Sequence, residues 1–171
     1  MVKKKHFFID LFAGCGGLSL GLEQAGFQPV FVNEIDKDAL ETYLINREKE
    51  YPYLRNKFFS SDIRSLTSKK VLEDLQSGFK SQFNIKKGGI ALIVGGPPCQ
   101  GYSGIGIRRS YSVDKKEIPS NFLYKDMCKM IRFFNPKSFI FENVRGVLNS
   151  RWTKNGKKGE IWEDILKTFH N

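Results

Sequence analysis

Residues 8–17 read Phe8-Ile9-Asp10-Leu11-Phe12-Ala13-Gly14-Cys15-Gly16-Gly17. Phe7 to Leu11 is a short, nearly continuous apolar run that gives way to small residues, the pattern of a strand buried on both faces and hence of a parallel sheet. Leu18, Leu22 and Ala25 then recur at helical spacing before Gly26 supplies a stop. Strand, glycine turn and helix in that order open a nucleotide-binding α/β unit.

The rest of the chain repeats the pattern. Val30 to Val32 reads as a second strand ending at Asn33 and Glu34, after which Asp36 can cap a helix carrying Leu40 and Leu44. Phe58 to Ile63 is a weaker third strand, Ser68 to Leu75 a helix, and Lys86 to Gly89 a basic turn. Ile90 to Val94 is a fourth strand that runs into Gly95-Gly96-Pro97-Pro98-Cys99, a sequence unsuited to any element interior. Three glycines, two adjacent arginines and several serines between Gly101 and Pro119 suit a mobile loop. A helix from Asn121 leads to Pro136, a fifth strand from Ser138 to Phe141 delivers Glu142 and Asn143, and Ile161, Ile165 and Phe169 line a last helical face.

The 171 residues suit one sizeable domain, and 28 basic against 18 acidic residues give a formal charge of +10 that favours a polyanionic partner. Three cysteines, Cys15, Cys99 and Cys128, have neither disulfide density nor a zinc-binding pattern, so no metal is expected and a reducing compartment fits. No stretch approaches the roughly 20 apolar residues needed to cross a bilayer. These features suggest a soluble intracellular protein without a membrane partner.

The glycine turn lacks both the dinucleotide spacing G-x-G-x-x-G and the lysine of a phosphate loop. A cofactor without phosphate suits it better: the methionine end of S-adenosylmethionine could use the turn. Glu34, 24 residues after Asp10, could accept from both ribose hydroxyls, or be a surface acid at a helix start. Asp62 could accept the exocyclic amine of adenine or cap local amides. Cys15 reads as a small packing residue rather than a nucleophile.

Three stretches, residues 8–17, Gly95-Gly96-Pro97-Pro98-Cys99-Gln100-Gly101-Tyr102-Ser103 and Glu142-Asn143-Val144, together resemble the DNA cytosine-5 methyltransferase family, in its order and over nearly the whole chain. The resemblance implies a Rossmann-like α/β fold, a mostly parallel sheet with helices on both faces. It implies S-adenosylmethionine as cofactor, with S-adenosylhomocysteine as product, and no metal. Duplex DNA would be the partner, in a prokaryotic cytoplasm at the nucleoid, in a restriction-modification system. Cys99 would attack C6 of cytosine, since C5 alone is too weak a nucleophile for a methyl sulfonium. Glu142 would hold N3 and the exocyclic amine as the thiolate adds. The base would be flipped out of the duplex, and the 101–119 loop would close over it.

By the same resemblance Asp10, Phe12, Gly14, Gly16, Gly17, Glu34, Ile35, Asp62, Ile63, Pro97 and Leu123 are expected around the cofactor. Gln100, Ser103, Arg108, Arg109 and Asn143 are expected around the nucleotide, the alternative for the loop residues being a solvated loop with incidental basic side chains. Family members continue into an arginine-bearing motif, a target-recognition region and a final segment that completes the cofactor domain. Residues 1–171 therefore resemble a partial catalytic and cofactor-binding domain, incomplete at the C-terminus, with the recognition domain outside this chain and a C-terminal segment or complementary subunit as possible partner. Methylation of cytosine in tRNA and a non-catalytic nucleic-acid-binding or assembly fragment are the competing readings.

Overall fold

The computed structural model describes residues 5–98 and 115–170. Among these residues five strands, β1 (His6–Leu11), β2 (Phe27–Asn33), β3 (Phe59–Ser60), β4 (Leu92–Gly95) and β5 (Ser138–Phe141), form one sheet in the order β3-β2-β1-β4-β5. Every pairing is parallel. The apolar runs are buried on both sides: Ile9, Leu11 and Ile93 join one core cluster, while Phe8, Leu92 and Val94 join another.

The larger cluster is completed by helices α4 (Lys69–Phe83) and α5 (Tyr124–Phe134), through Phe79, Met127, Met130 and Phe134. On the other face Leu22 of α1 (Gly17–Gln24) packs on Phe8, Leu92 and Val94. Helix α2 (Lys37–Ile45) begins where Asp36 accepts from the amides of Asp38 and Ala39. A short α3 (Tyr53–Lys57) precedes β3. The last helix, α6 (Glu160–His170), buries Ile161 and Ile165 in a third cluster with Tyr124, Val147 and Trp152.

Several boundaries differ from the sequence reading. Strand β2 starts at Phe27 and passes through Pro29, where the pairing with β1 shifts register between Phe8 and Ile9, an accommodation of a residue that has no amide hydrogen to donate. Strand β3 is only two residues long, and Ile63–Leu66 is a 3-10 turn. Helix α4 runs on to Phe83, and the segment before α5 is a separate 3-10 turn, Pro119–Phe122, with proline in its first turn.

Register fixes where the chemistry can sit. Leu11 pairs with Asn33 and Gly95, Asn33 with Ser60, and Gly95 with Phe141. The residues that follow these strand ends, Phe12, Glu34, Ser61, Gly96 and Glu142, therefore emerge at one edge of the sheet. Strand order reverses at β1, which places the crevice of an open α/β sheet at that edge.

Candidate active site

The turn after β1 is held from below. The amide of Ala13 donates to the carbonyl of Asn33, that of Gly16 to Ala13, and that of Gly14 to Oε2 of Glu34 at 2.7 Å. The other Glu34 oxygen accepts from the amide of Asp36 at 2.8 Å, so one 9% exposed carboxylate ties the glycine turn to the start of α2. A carboxylate oxygen accepts more than one hydrogen bond, which leaves Glu34 able to take ribose hydroxyls as well.

Phe12 has φ +56°, a conformation a bulky residue adopts only when its surroundings impose it. It lines a cleft with about 510 Å³ of empty space, part of it open to solvent, together with Ile35, Asp62, Ile63 and Leu123. Five of the residues expected around the cofactor thus share one cavity. A β-carbon built on Gly14 or Gly17 would meet nothing within 4 Å, so the turn faces free space. A largely apolar cleft with a carboxylate in its lining, and an open glycine turn tied to a second carboxylate, fit an adenosine joined to an amino-acid chain.

Two expected residues, Asp10 and Pro97, are arranged differently, and Asp62 caps a local amide, the second of its two expected roles. Asp10 does not open onto the cleft. It is 1% exposed, accepts from Ser19 Oγ at 2.5 Å, and burial pushes its carboxyl from about 3.8 up to about 7. Pro97 is buried and its neighbour Pro98 lines the cleft instead. Asp62 accepts the amide of Arg64 and both Nε and Nη2 of its guanidinium, which hold the carboxylate below its ordinary range. Cys15, expected to pack, is exposed, because the turn carries its side chain outward.

Sequence reading also missed part of the wall. Arg64, Asn33, Ser61, Pro119 and Ser120 line the cleft. Proline at the start of a turn was the one legible signal among them. The wall formed by 119–123 is backed by a stacked pair, Phe122 on Trp152 at 4.8 Å and 9° between planes. Trp152 in turn donates its indole N–H to Asp164 at 2.6 Å.

At the β4 and β5 ends, the amide of Glu142 donates to the carbonyl of Gly95 at 3.0 Å, and the exposed Glu142 side chain lies against Gly96. Asn143 Nδ2 donates to the carbonyl of Pro97 at 3.1 Å, and its Oδ1 accepts the amide of Val144 at 2.9 Å. Asn143 therefore fastens the β5 loop to the segment that leads to residue 99. Cys99, Gln100, Ser103, Arg108 and Arg109 lie outside the described residues. Among the described residues, no cluster of three or more His, Cys, Asp or Glu could hold a metal ion, and no helix is long and apolar enough to cross a membrane.

The chain is similar in sequence and in fold to known proteins. The type II methyltransferase M.DdeI of Desulfomicrobium norvegicum is 35% identical over 163 residues, covering 95% of this chain and 33% of that one. M.FnuDI of Fusobacterium nucleatum is 35% identical over 161 residues, covering 94% and 37%. An E. coli protein described as a DNA modification methyltransferase encoded within a prophage shares the fold at TM-score 0.64 and 28% identity, over 96% of this chain and 38% of its own. A DNMT2 variant from Spodoptera frugiperda, at 18% identity and TM-score 0.53, covers 96% and 41% and shares the fold alone. The chain spans about a third of the length of these curated relatives. The model of the family described as C-5 cytosine-specific DNA methylase matches residues 7–171, and the chain belongs to that family.

Proposed function

We propose that residues 1–171 are the catalytic and cofactor-binding part of an enzyme that methylates C5 of cytosine in duplex DNA, as the modification arm of a restriction-modification system in a prokaryotic cytoplasm. The observation that carries this reading is the convergence, at one sheet edge, of an open glycine turn, a largely apolar cleft lined in part by Asp62, and Glu142 seated on the Gly95-Gly96 segment three residues before Cys99. The family match and the type II relatives support it.

Bound S-adenosylmethionine would supply an electrophilic methyl group. Glu34 would take the ribose hydroxyls while still anchoring Gly14, Phe12, Ile35, Ile63 and Leu123 would enclose the adenosine, and Asp62 would receive its amine. Cys99 would add as a thiolate to C6 of an extruded cytosine, making C5 nucleophilic. Glu142 would contact N3 and the exocyclic amine, drawing charge from the ring as the sulfur adds. Transfer would release S-adenosylhomocysteine, the C5 proton would pass to water, and the C6–sulfur bond would break to return the Cys99 thiolate and restore the aromatic ring. Gln100, Ser103, Arg108 and Arg109 would contact the nucleotide or its phosphates, and Asn143 would hold the two loops in register.

Incubation with tritiated cofactor and unmethylated duplex DNA, with the chain alone and with a candidate C-terminal partner chain, tests the reading. Transfer that depends on Cys99, and that unlabelled duplex DNA competes better than tRNA, is the expected result. Retained transfer by Cys99→Ala would eliminate the chemistry, and preferential competition by tRNA would move the substrate to RNA.

A further inference from the structure

Beneath the glycine turn lies a polar chain that the proposed chemistry does not use. Asp10 at the end of β1 accepts from Ser19, whose hydroxyl also bonds the Tyr43 hydroxyl at 2.7 Å. The Arg47 guanidinium lies 4.0 Å over the Tyr43 ring and pairs through Nε with Glu23 at 2.6 Å. Its Nη2 donates to the carbonyl of Gly16 at 3.0 Å and its Nη1 to that of Tyr43 at 3.3 Å. Arg47 is only 5% exposed, so these bonds are made away from water, where leaving one unmade is costly.

Gly16 is cut to fit this side chain. Its φ is +90°, and a β-carbon there would stand 2.6 Å from both Arg47 Nη1 and Tyr43 Cδ2. The Gly16 carbonyl also accepts the amide of Leu20, so it opens the hydrogen-bond ladder of α1. Gly16 caps α1 without any side-chain hydrogen bond. One guanidinium therefore fixes the carbonyl that sets the direction of both the turn and the first turn of the helix. Glu34 fixes the same loop two residues earlier, through Gly14.

We propose that Arg47 is a positioning residue for the amino-acid end of the cofactor, acting through Gly16 rather than by contact. The inference rests on the cofactor reading given above. Loss of Arg47 lets the Gly14–Gly17 turn relax, while the adenosine end of the cleft, walled by Ile35, Ile63 and Leu123, is untouched. Lysine cannot replace it, because one ammonium group cannot pair with Glu23 and also reach two carbonyls in the plane of a fork.

Calorimetric titration with S-adenosylhomocysteine, beside adenosine binding followed by ligand NMR, separates the ends of the site. Arg47→Met and Arg47→Lys should each weaken S-adenosylhomocysteine at least tenfold and leave adenosine within twofold. Should Arg47→Met fail to fold, Glu23→Gln, which releases one anchor of the guanidinium, should still lower the ratio of the two affinities about threefold. Equal losses for both ligands, or an unchanged S-adenosylhomocysteine affinity, would overturn the proposal. If the unaltered chain binds adenosine but not S-adenosylhomocysteine, the positioning role is overturned alone; if it binds neither, the cofactor reading falls with it.

Discussion

A β-carbon on Gly96 would stand 2.7 Å from Oε2 of Glu142, so the carboxylate proposed to hold the cytosine ring lies where only glycine leaves room for it. The Glu142 amide is fixed to the Gly95 carbonyl, which prevents the main chain from retreating. Gly96→Ala should therefore push the carboxylate aside while leaving the strands paired. A displacement of about 1 Å at a reacting group costs on the order of 100-fold in rate. Methyl transfer should fall by about that factor with the thermal midpoint little changed, and a variant as active as the parent would show that Glu142 is not needed in this position.

Asp10 makes stability depend on pH. Desolvation is the largest cause of its raised pKa, opposed by the Ser19 hydrogen bond and the Arg47 charge and assisted by Glu23 and Glu34. The folded state keeps the proton up to about pH 7, whereas the unfolded chain releases it near 3.8. Between those values the folded state binds more protons, so this contribution is fully present below pH 3.8 and is lost as pH rises through 7. At 1.36 kcal/mol for each pKa unit, the full effect is on the order of 4 kcal/mol. Urea unfolding at pH 5 and pH 8 should show the gap between the parent and Asp10→Asn shifting in favour of Asn at the higher pH. A gap that does not move with pH would mean that the carboxyl is not buried as described.

The parallel sheet was legible because its strands are apolar on both faces, and residues such as Phe8 and Ile9 enter different clusters. Glu34 was legible because it follows a strand at a fixed distance from the glycine turn. The direction of a side chain was not. Asp10 sits inside the quoted motif, yet it turns beneath the sheet edge toward Ser19, 9 positions away, whose hydroxyl bonds Tyr43 a further 24 positions on. Arg47 continues the spacing of Leu40, Tyr43 and Leu44 on α2, but nothing local announces its partners Glu23 and Gly16, 24 and 31 residues away. The Pro119–Phe122 wall depends on Trp152, a pairing no local pattern announces.

That wall gives a third prediction. Trp152 is 4% exposed, stacks on Phe122 and donates to Asp164, so it clamps the turn carrying Pro119, Ser120 and Leu123 to α6. Trp152→Ala should cost about 3–5 kcal/mol, measured by denaturant unfolding. Trp152→Phe keeps a ring over Phe122 but leaves the Asp164 carboxylate without its indole donor, and should lose less. If alanine and phenylalanine are equivalent, the stack contributes nothing and the wall is held by other contacts.

Glu34 should tolerate no change of charge state or length. Its two oxygens accept from the amides of Gly14 and Asp36 at 2.7 and 2.8 Å, and both bonds end on a carboxylate, the stronger kind of acceptor. Glu34→Gln presents one acceptor and one donor, so either Gly14 or Asp36 faces an N–H group instead of an oxygen. The turn and the α2 start can then no longer both be held, and a cofactor ribose loses an anionic acceptor at the same place. Glu34→Asp keeps the charge but is one methylene too short to span the two amides. Each should weaken S-adenosylhomocysteine by about 10-fold or more, equivalent to about 1.4 kcal/mol. Unlike the Arg47 variants, each should weaken adenosine as well, because the ribose belongs to both ligands. Adenosine affinity left intact in Glu34→Gln would remove the ribose from this carboxylate and leave it only the anchoring of the turn.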